Sequence, residues 1–110
     1  MRLYLLRHAI ALPRGTRGAR EDAKRPLTPE GLEQARQVAN GLARLKIAVD
    51  CIVTSPYTRA VETARVLAER LGFETPLGEW DALRAEAPPS ETSLALKALA
   101  GKRHVVLVGH

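Results

Sequence analysis

The sequence predicts an α/β fold with a mainly parallel sheet, and three observations carry that expectation. Short apolar runs alternate with stretches of helical periodicity, in the order strand, helix, strand, helix, strand. The first run is continuously apolar after Arg2, the pattern of a strand covered on both faces. Each run also stops abruptly at residues that carry chemistry. Leu3-Tyr4-Leu5-Leu6 ends in Arg7-His8, Cys51-Ile52-Val53 runs into Ser55-Pro56-Tyr57-Thr58-Arg59, and Val105-Val106-Leu107-Val108 ends in Gly109-His110.

Taken in order, the first strand is expected over Arg2 to Leu6. Pro13 to Arg25 reads as a loop, because Pro13, Gly15 and Gly18 break regular structure. Arg14, Arg17, Arg20, Lys24 and Arg25 make it basic, with Glu21 and Asp22 interrupting. It is either a solvated connection or a rim that attracts a phosphorylated partner. Leu27-Thr28-Pro29-Glu30 opens the first helix, with Thr28 as N-cap, Pro29 at the first helical position and Glu30 at the positive dipole end. Leu27 and Leu32 stand at the two positions of a hydrophobic staple. Leu32, Ala35, Ala39, Leu42 and Leu45 follow as one core-facing stripe.

The second helix is expected from Ser55-Pro56 to about Leu71, stopped by Gly72, with Val61, Ala64, Ala68 and Leu71 as its buried stripe. That start puts Arg59 at the fourth helical position, where a staple wants an apolar side chain and the dipole disfavours a cation. A cation set against the local field points to an external anion, which the free amides of the helix N-terminus would also attract. The plainer alternative is an exposed arginine reaching Glu62 or Glu33. The segment from Gly72 to Pro89 reads as irregular. Ser90-Glu91 precedes a short helix carrying Leu94, Leu96, Leu99 and Ala100 and ending near Gly101, and His104 to Val108 forms the last strand.

Composition bounds the function classes. The 110 residues make a single domain, 45% hydrophobic and 26% charged, which reads as globular. No apolar stretch approaches the roughly 20 residues needed to span a bilayer, and the N-terminus lacks a signal-peptide pattern. The single Cys51 reads as a small buried hydrophobe in a reducing cytoplasm. The net charge of +5 favours anionic partners. Nucleic acid is a poor fit, because aromatic residues make up only 4% of the chain and no helix carries a contiguous basic face. Oligomeric state is not decided by these features.

Ligands of open α/β sheets bind beyond the carboxyl ends of the strands. Three strand ends here deliver two imidazoles and two guanidiniums to that region. His8 is the candidate nucleophile, since a neutral imidazole can attack phosphorus and the resulting phosphohistidine can be hydrolysed. Arg7, Arg59 and His110 would stabilise the charge on the phosphoryl oxygens, a role that calls for no metal and no cofactor. A zinc site on His8 and His110 is disfavoured, for no third ligand stands at metal spacing and the arginines oppose a dication. His104, at the opposite end of its strand, reads as bystander surface.

Leu5-Leu6-Arg7-His8-Ala9, Arg25-Pro26-Leu27-Thr28-Pro29-Glu30-Gly31, the run from Thr54 through Ser55-Pro56-Tyr57-Thr58-Arg59 to Ala64, and Val106-Leu107-Val108-Gly109-His110 occur in this order. In these blocks the chain resembles the histidine phosphatase superfamily, the phosphoglycerate-mutase-like group, branch one. In length and block spacing it is most similar to the small SixA-type phosphohistidine phosphatases. The resemblance implies a three-layer α/β/α fold and a covalent phosphohistidine intermediate. It puts His8 at the nucleophile position, Arg7 and Arg59 at the phosphate-binding arginines and His110 at the second pocket histidine, with Ser55 also on the substrate-binding side. The implied substrate is a phosphorylated protein such as a histidine phosphotransfer domain. A small phosphorylated metabolite or a non-catalytic phosphate-binding module is the alternative.

Three departures from the family pattern matter. Ala9 stands where a glycine often follows Arg-His, and is expected to narrow the pocket floor slightly. Glu79, Asp81 and Glu86 lie in the stretch where larger relatives carry a general acid, yet none sits in the matching motif. A phosphohistidine substrate fits that lack, since its imidazole leaves with less help than an alkoxide. Finally, family members continue past the position of His110, so the single domain of residues 1–110 is expected to be incomplete at its C-terminus. If it were whole, exposed apolar surface, weak stability, self-association and a terminal carboxylate competing with phosphate would be expected.

Overall fold

The structure is a computed structural model that describes residues 2–13 and 22–110. Most of the basic loop expected over Pro13 to Arg25, including Arg14, Arg17 and Arg20, lies outside the described residues. Among the described residues four strands form one sheet, β1 (Arg2–Arg7), β2 (Cys51–Thr54), β3 (Gly78–Glu79) and β4 (His104–Gly109). They stand in the order β1-β4-β2-β3, and every pairing is parallel. The α-helices that connect them are α1 (Pro29–Arg44), α2 (Thr58–Leu71) and α3 (Pro89–Leu96).

The handedness of parallel crossovers explains the layering. The chain moves in one direction across the sheet from β1 to β2 and on to β3, which puts α1 and α2 on the same face. It then reverses to insert β4 between β1 and β2, which puts α3 on the other. The core divides accordingly. Ala39 of α1 and Ala60, Ala64 and Leu67 of α2 pack on Ile52, Val106 and Val108. Val53, Val105 and Leu107 point the opposite way, toward Leu99, Leu96, Trp80 and Leu83. This is the three-layer α/β/α arrangement with a parallel sheet.

The helix ends are set locally. The Thr28 side chain accepts from Gly31 N–H at 2.9 Å, and Leu27 and Leu32 pack in one cluster with Ala9 and Ala35. Gly31 is required by close approach: a Cβ there would lie 2.0 Å from the carbonyl oxygen of Ile10. Gly72 ends α2 in the left-handed conformation, with φ 66°.

Several expectations are corrected. Leu45 does not complete the α1 stripe, because the helix stops at Arg44 and Leu45 is 67% exposed as its C-cap. The stretch from Gly72 to Pro89 is not wholly irregular. Gly78–Glu79 pair with Val53 and Thr54 as a short strand, and Asp81–Leu83 form a 3-10 turn. Two residues are too few for any periodicity to show. The first strand is not covered on both faces either: Leu5 is 72% exposed. β1 stands at an edge of the described sheet, and the layer carrying Trp80 and Leu99 packs on β2 and β4.

The second helix begins later than expected, at Thr58, with Tyr57 as its N-cap. Ser55, just past β2, is still tied to the sheet, its N–H bonded to the Val108 carbonyl at 2.9 Å, so two more residues are needed before the chain can turn. Arg59 therefore occupies the second helical position, not the fourth. The staple argument lapses, while the unfavourable placement of a cation in the first turn stands.

Candidate active site

Because the strands are parallel, the residues that follow β1, β2 and β4 gather at one end of the sheet. His8 continues the β1–β4 pairing through its N–H to the Gly109 carbonyl at 3.0 Å. Ser55 follows β2, and His110 follows β4. The ring centroids of His8 and His110 are 5.0 Å apart. Arg59 lies between them, only 3% exposed.

Hydrogen bonds set the tautomer of each imidazole. His8 Nδ1 lies 2.7 Å from the Ala9 carbonyl, which can only accept, so Nδ1 carries the proton. Its Nε2 lone pair then faces the pocket and accepts from Arg59 Nε at 3.3 Å. In His110, Nδ1 accepts from Arg59 Nη2 at 3.4 Å, and Nε2 donates to Ser55 Oγ at 2.9 Å. Ser55 is fully buried and its hydroxyl oxygen also accepts from Tyr57 N–H at 3.2 Å.

The electrostatics agree with two neutral rings. Burial is the main cause holding the His8 pKa below its usual value, joined by the charges of Arg59, Arg7 and Arg25 and partly offset by the bond to Ala9. Burial and then Arg59 and His8 push His110 down to about 4. An arriving dianion would favour the protonated ring and shift that balance.

Arg59 has an internal partner as well. Nη1 donates to the Asp22 carbonyl at 2.7 Å, and Nη2 lies 3.3 Å from Asp22 Oδ2. Asp22 is shared with Arg25, whose Nε reaches Oδ1 at 2.9 Å. These contacts hold the Asp22 carboxyl below the usual range, the Arg25 hydrogen bond first. Neither Glu62 nor Glu33 pairs with Arg59: Glu62 accepts from Leu27 N–H at 2.9 Å, and Glu33 meets Arg36. Asp22 and Arg25 were legible only as parts of a basic loop, and no spacing rule connects Asp22 to Arg59, 37 positions away.

The structure thus brings His8, Arg59, His110 and Ser55 together. Arg7 stands apart from these hydrogen bonds. Its side chain is exposed and, with His110, lines a groove of about 590 Å³ between β1 and the segment 82–93, from which its charge reaches His8. Ala9, expected to narrow the pocket floor, packs with Leu27 and Ala35, and its N–H donates to Thr63 Oγ1 at 3.1 Å. Of the acidic residues between Gly78 and Pro88, Glu86 comes nearest the site, through Tyr57. The phenol donates to its carboxylate at 2.6 and 2.7 Å, and the Tyr57 ring meets His110 edge-on at 5.1 Å. His104 lies at the far end of β4, 3.3 Å from Tyr4. Among the described residues no group of three or more His, Cys, Asp or Glu could hold a metal ion, and no helix is long and apolar enough to cross a membrane.

Comparison with known proteins gives concordant results. The family profile of the histidine phosphatase superfamily (branch 1) matches residues 3–87. An uncharacterised protein of Picosynechococcus sp. is 43% identical over 68 residues, 62% of this chain and 40% of the relative. Phosphohistidine phosphatase SixA of Escherichia coli is 30% identical over 73 residues, 66% of this chain and 43% of its own length. The match therefore spans less than half of either curated relative. The solved structure of the protein histidine phosphatase SixA complexed with tungstate superposes with a TM-score of 0.90 at 27% identity, covering 100% of this chain and 69% of that one.

Proposed function

This chain belongs to the histidine phosphatase superfamily, branch 1, and on that premise we propose that it is a phosphatase acting through a covalent phosphohistidine at His8. The observation that carries the proposal is the tautomer of His8. With Nδ1–H held by the Ala9 carbonyl, the unprotonated nitrogen is Nε2, which accepts from Arg59 Nε at 3.3 Å. A depressed pKa keeps its lone pair available at neutral pH.

In the first step Nε2 of His8 attacks phosphorus. A P–N bond forms as the bond to the leaving group breaks, and the electron pair departs with that group. Arg59 donates to the equatorial oxygens, and Arg7 adds charge from the groove side. His110, neutral before substrate arrives, takes a proton as the dianion enters and then donates to it as well. Ser55 orients His110 by accepting its Nε2–H. In the second step water attacks the phosphohistidine, which releases orthophosphate and restores the neutral ring.

The proposed substrate is phosphohistidine on a phosphotransfer or signalling protein, by similarity to the SixA relatives. Tungstate, a tetrahedral oxyanion like phosphate, is the ligand of one of them. The glutamates and aspartate at positions 79, 81 and 86 do not contact His8 or Arg59 among the described hydrogen bonds, which favours a leaving group that needs little acid assistance. The proposed setting is the cytoplasm, in line with Cys51 packed as an apolar group.

The test is trapping with ³²P-labelled phosphohistidine protein at neutral pH. Acid-labile label on His8, lost in His8→Ala, is the expected result. Turnover by His8→Ala at the wild-type rate would refute the mechanism, and preference for sugar phosphates would reassign the substrate.

A further inference from the structure

Tyr57 occupies the N-cap of α2, a position that favours Ser, Thr, Asp or Asn, and its side chain makes no capping hydrogen bond. The helix thus forgoes a cap, and the tyrosine side chain is used elsewhere. Among the described residues, its side chain meets Arg59, His110 and Glu86. The Arg59 guanidinium carbon sits 4.9 Å from the ring centroid, and His110 meets the ring edge-on at 5.1 Å, an interplanar angle of 69°. The hydroxyl donates to both oxygens of Glu86. Glu86 lies on the segment between the Asp81–Leu83 turn and α3, so this bond ties the far layer of the sandwich to the first turn of α2.

Building on the proposed function, we infer that Tyr57 is a positioning residue, whose ring, anchored by Glu86, holds Arg59 and His110 in register around the phosphoryl group. Arg59 has long, flexible torsions, and its other anchors, Asp22 and the two imidazoles, all lie on its edge. A ring face is what restrains the plane of a guanidinium, and cation–π attraction strengthens as water is excluded. The same ring packs edge-on against His110. That fits the neutral state of that histidine, whose chief cause is burial. Glu86 is held ionised, below the usual carboxylate range, first by the Tyr57 hydrogen bond. It therefore acts as an acceptor that fixes the phenol rather than as a proton donor.

The experiment uses the full 110-residue chain, with inorganic phosphate as probe and NMR titration of the His110 ring, so neither readout depends on turnover. Tyr57→Ala is expected to weaken phosphate about tenfold, the size of a partly desolvated cation–π contact, and to move the His110 titration upward from about 4 toward the ordinary 6.5. Tyr57→Phe and Glu86→Ala are each expected to weaken phosphate about threefold, one ordinary hydrogen bond. The double variant should lose no more than either alone, because the two share that single bond. Phosphate binding in Tyr57→Ala within twofold of wild type, with His110 still titrating near 4, would overturn the inference. If Tyr57→Ala fails to fold, additive losses in the double variant would overturn it. A failure of His8 labelling would sink the proposed mechanism while leaving these binding readouts to judge Tyr57 separately.

Discussion

Thr63→Val isolates one hydroxyl that links the loop after β1 to helix α2. Thr63 is 6% exposed, and its Oγ1 accepts from Ala9 N–H at 3.1 Å while donating to the Arg59 carbonyl at 2.7 Å. Valine keeps the shape and removes both bonds. The Arg59 carbonyl retains its place in the helix, but the Ala9 N–H, in a residue only 7% exposed, is left without an acceptor. An unsatisfied buried donor costs about 1–3 kcal/mol, and each kcal/mol lowers the melting temperature of a domain this size by about 4–8 °C. Thr63→Ser keeps the hydroxyl and loses one methyl, about 0.8 kcal/mol, so it should be the milder change. Urea denaturation of the three proteins at constant m-value measures the difference. The Ala9 carbonyl also orients His8, so Thr63→Val should lower kcat more than it weakens phosphate binding. If Thr63→Val is within about 0.5 kcal/mol of wild type, or if serine is the worse substitution, the assigned hydrogen bond is not what holds the loop.

Gly31→Ala places a methyl carbon 2.0 Å from the Ile10 carbonyl oxygen and should cost at least about 1–3 kcal/mol. Gly41→Ala, in the same helix with open space around it, should instead stabilise by up to about 1 kcal/mol; thermal melts that show both changes with the same sign would contradict this. Replacing Arg59 with lysine keeps a cation but loses the planar fork, and should lower kcat about 10²–10³-fold; a variant retaining a tenth of the activity would refute the role. His8 and His110 both have folded pKa values below the unfolded 6.5. The unfolded chain therefore takes up protons first, and stability should be full above pH 6.5 and fall as pH drops toward about 4. In His110→Gln that slope should flatten between those pH values; an unchanged slope in denaturation midpoints would count against the assignment.

Much of the site was legible because strand ends are legible. Apolar runs mark where β1, β2 and β4 stop, and parallel strands bring their carboxyl ends to one side. His8, Ser55 and His110 could therefore be gathered without coordinates. The N-terminus of α1 was equally readable, since Thr28, Pro29 and the Leu27–Leu32 staple act within a few residues. Arg59 stood out because a cation in the first turn of a helix opposes the local field. The sequence could not show that Ser55 still pairs with β4, which delays α2 by two residues. Nor could it reveal β3, whose two residues carry no period.

What the sequence alone determined is thus the order of elements and which side chains reach the end of the sheet, because local propensity and strand period act over short distances. The tertiary structure decided how those side chains meet. It seated Arg59 between two neutral imidazoles, set its guanidinium against the Asp22 carboxylate, stood Tyr57 over it and left Arg7 out on the groove wall. Those outcomes depend on burial and on contacts between residues tens of positions apart. A charge's surroundings follow from packing, and packing is a property of the folded chain.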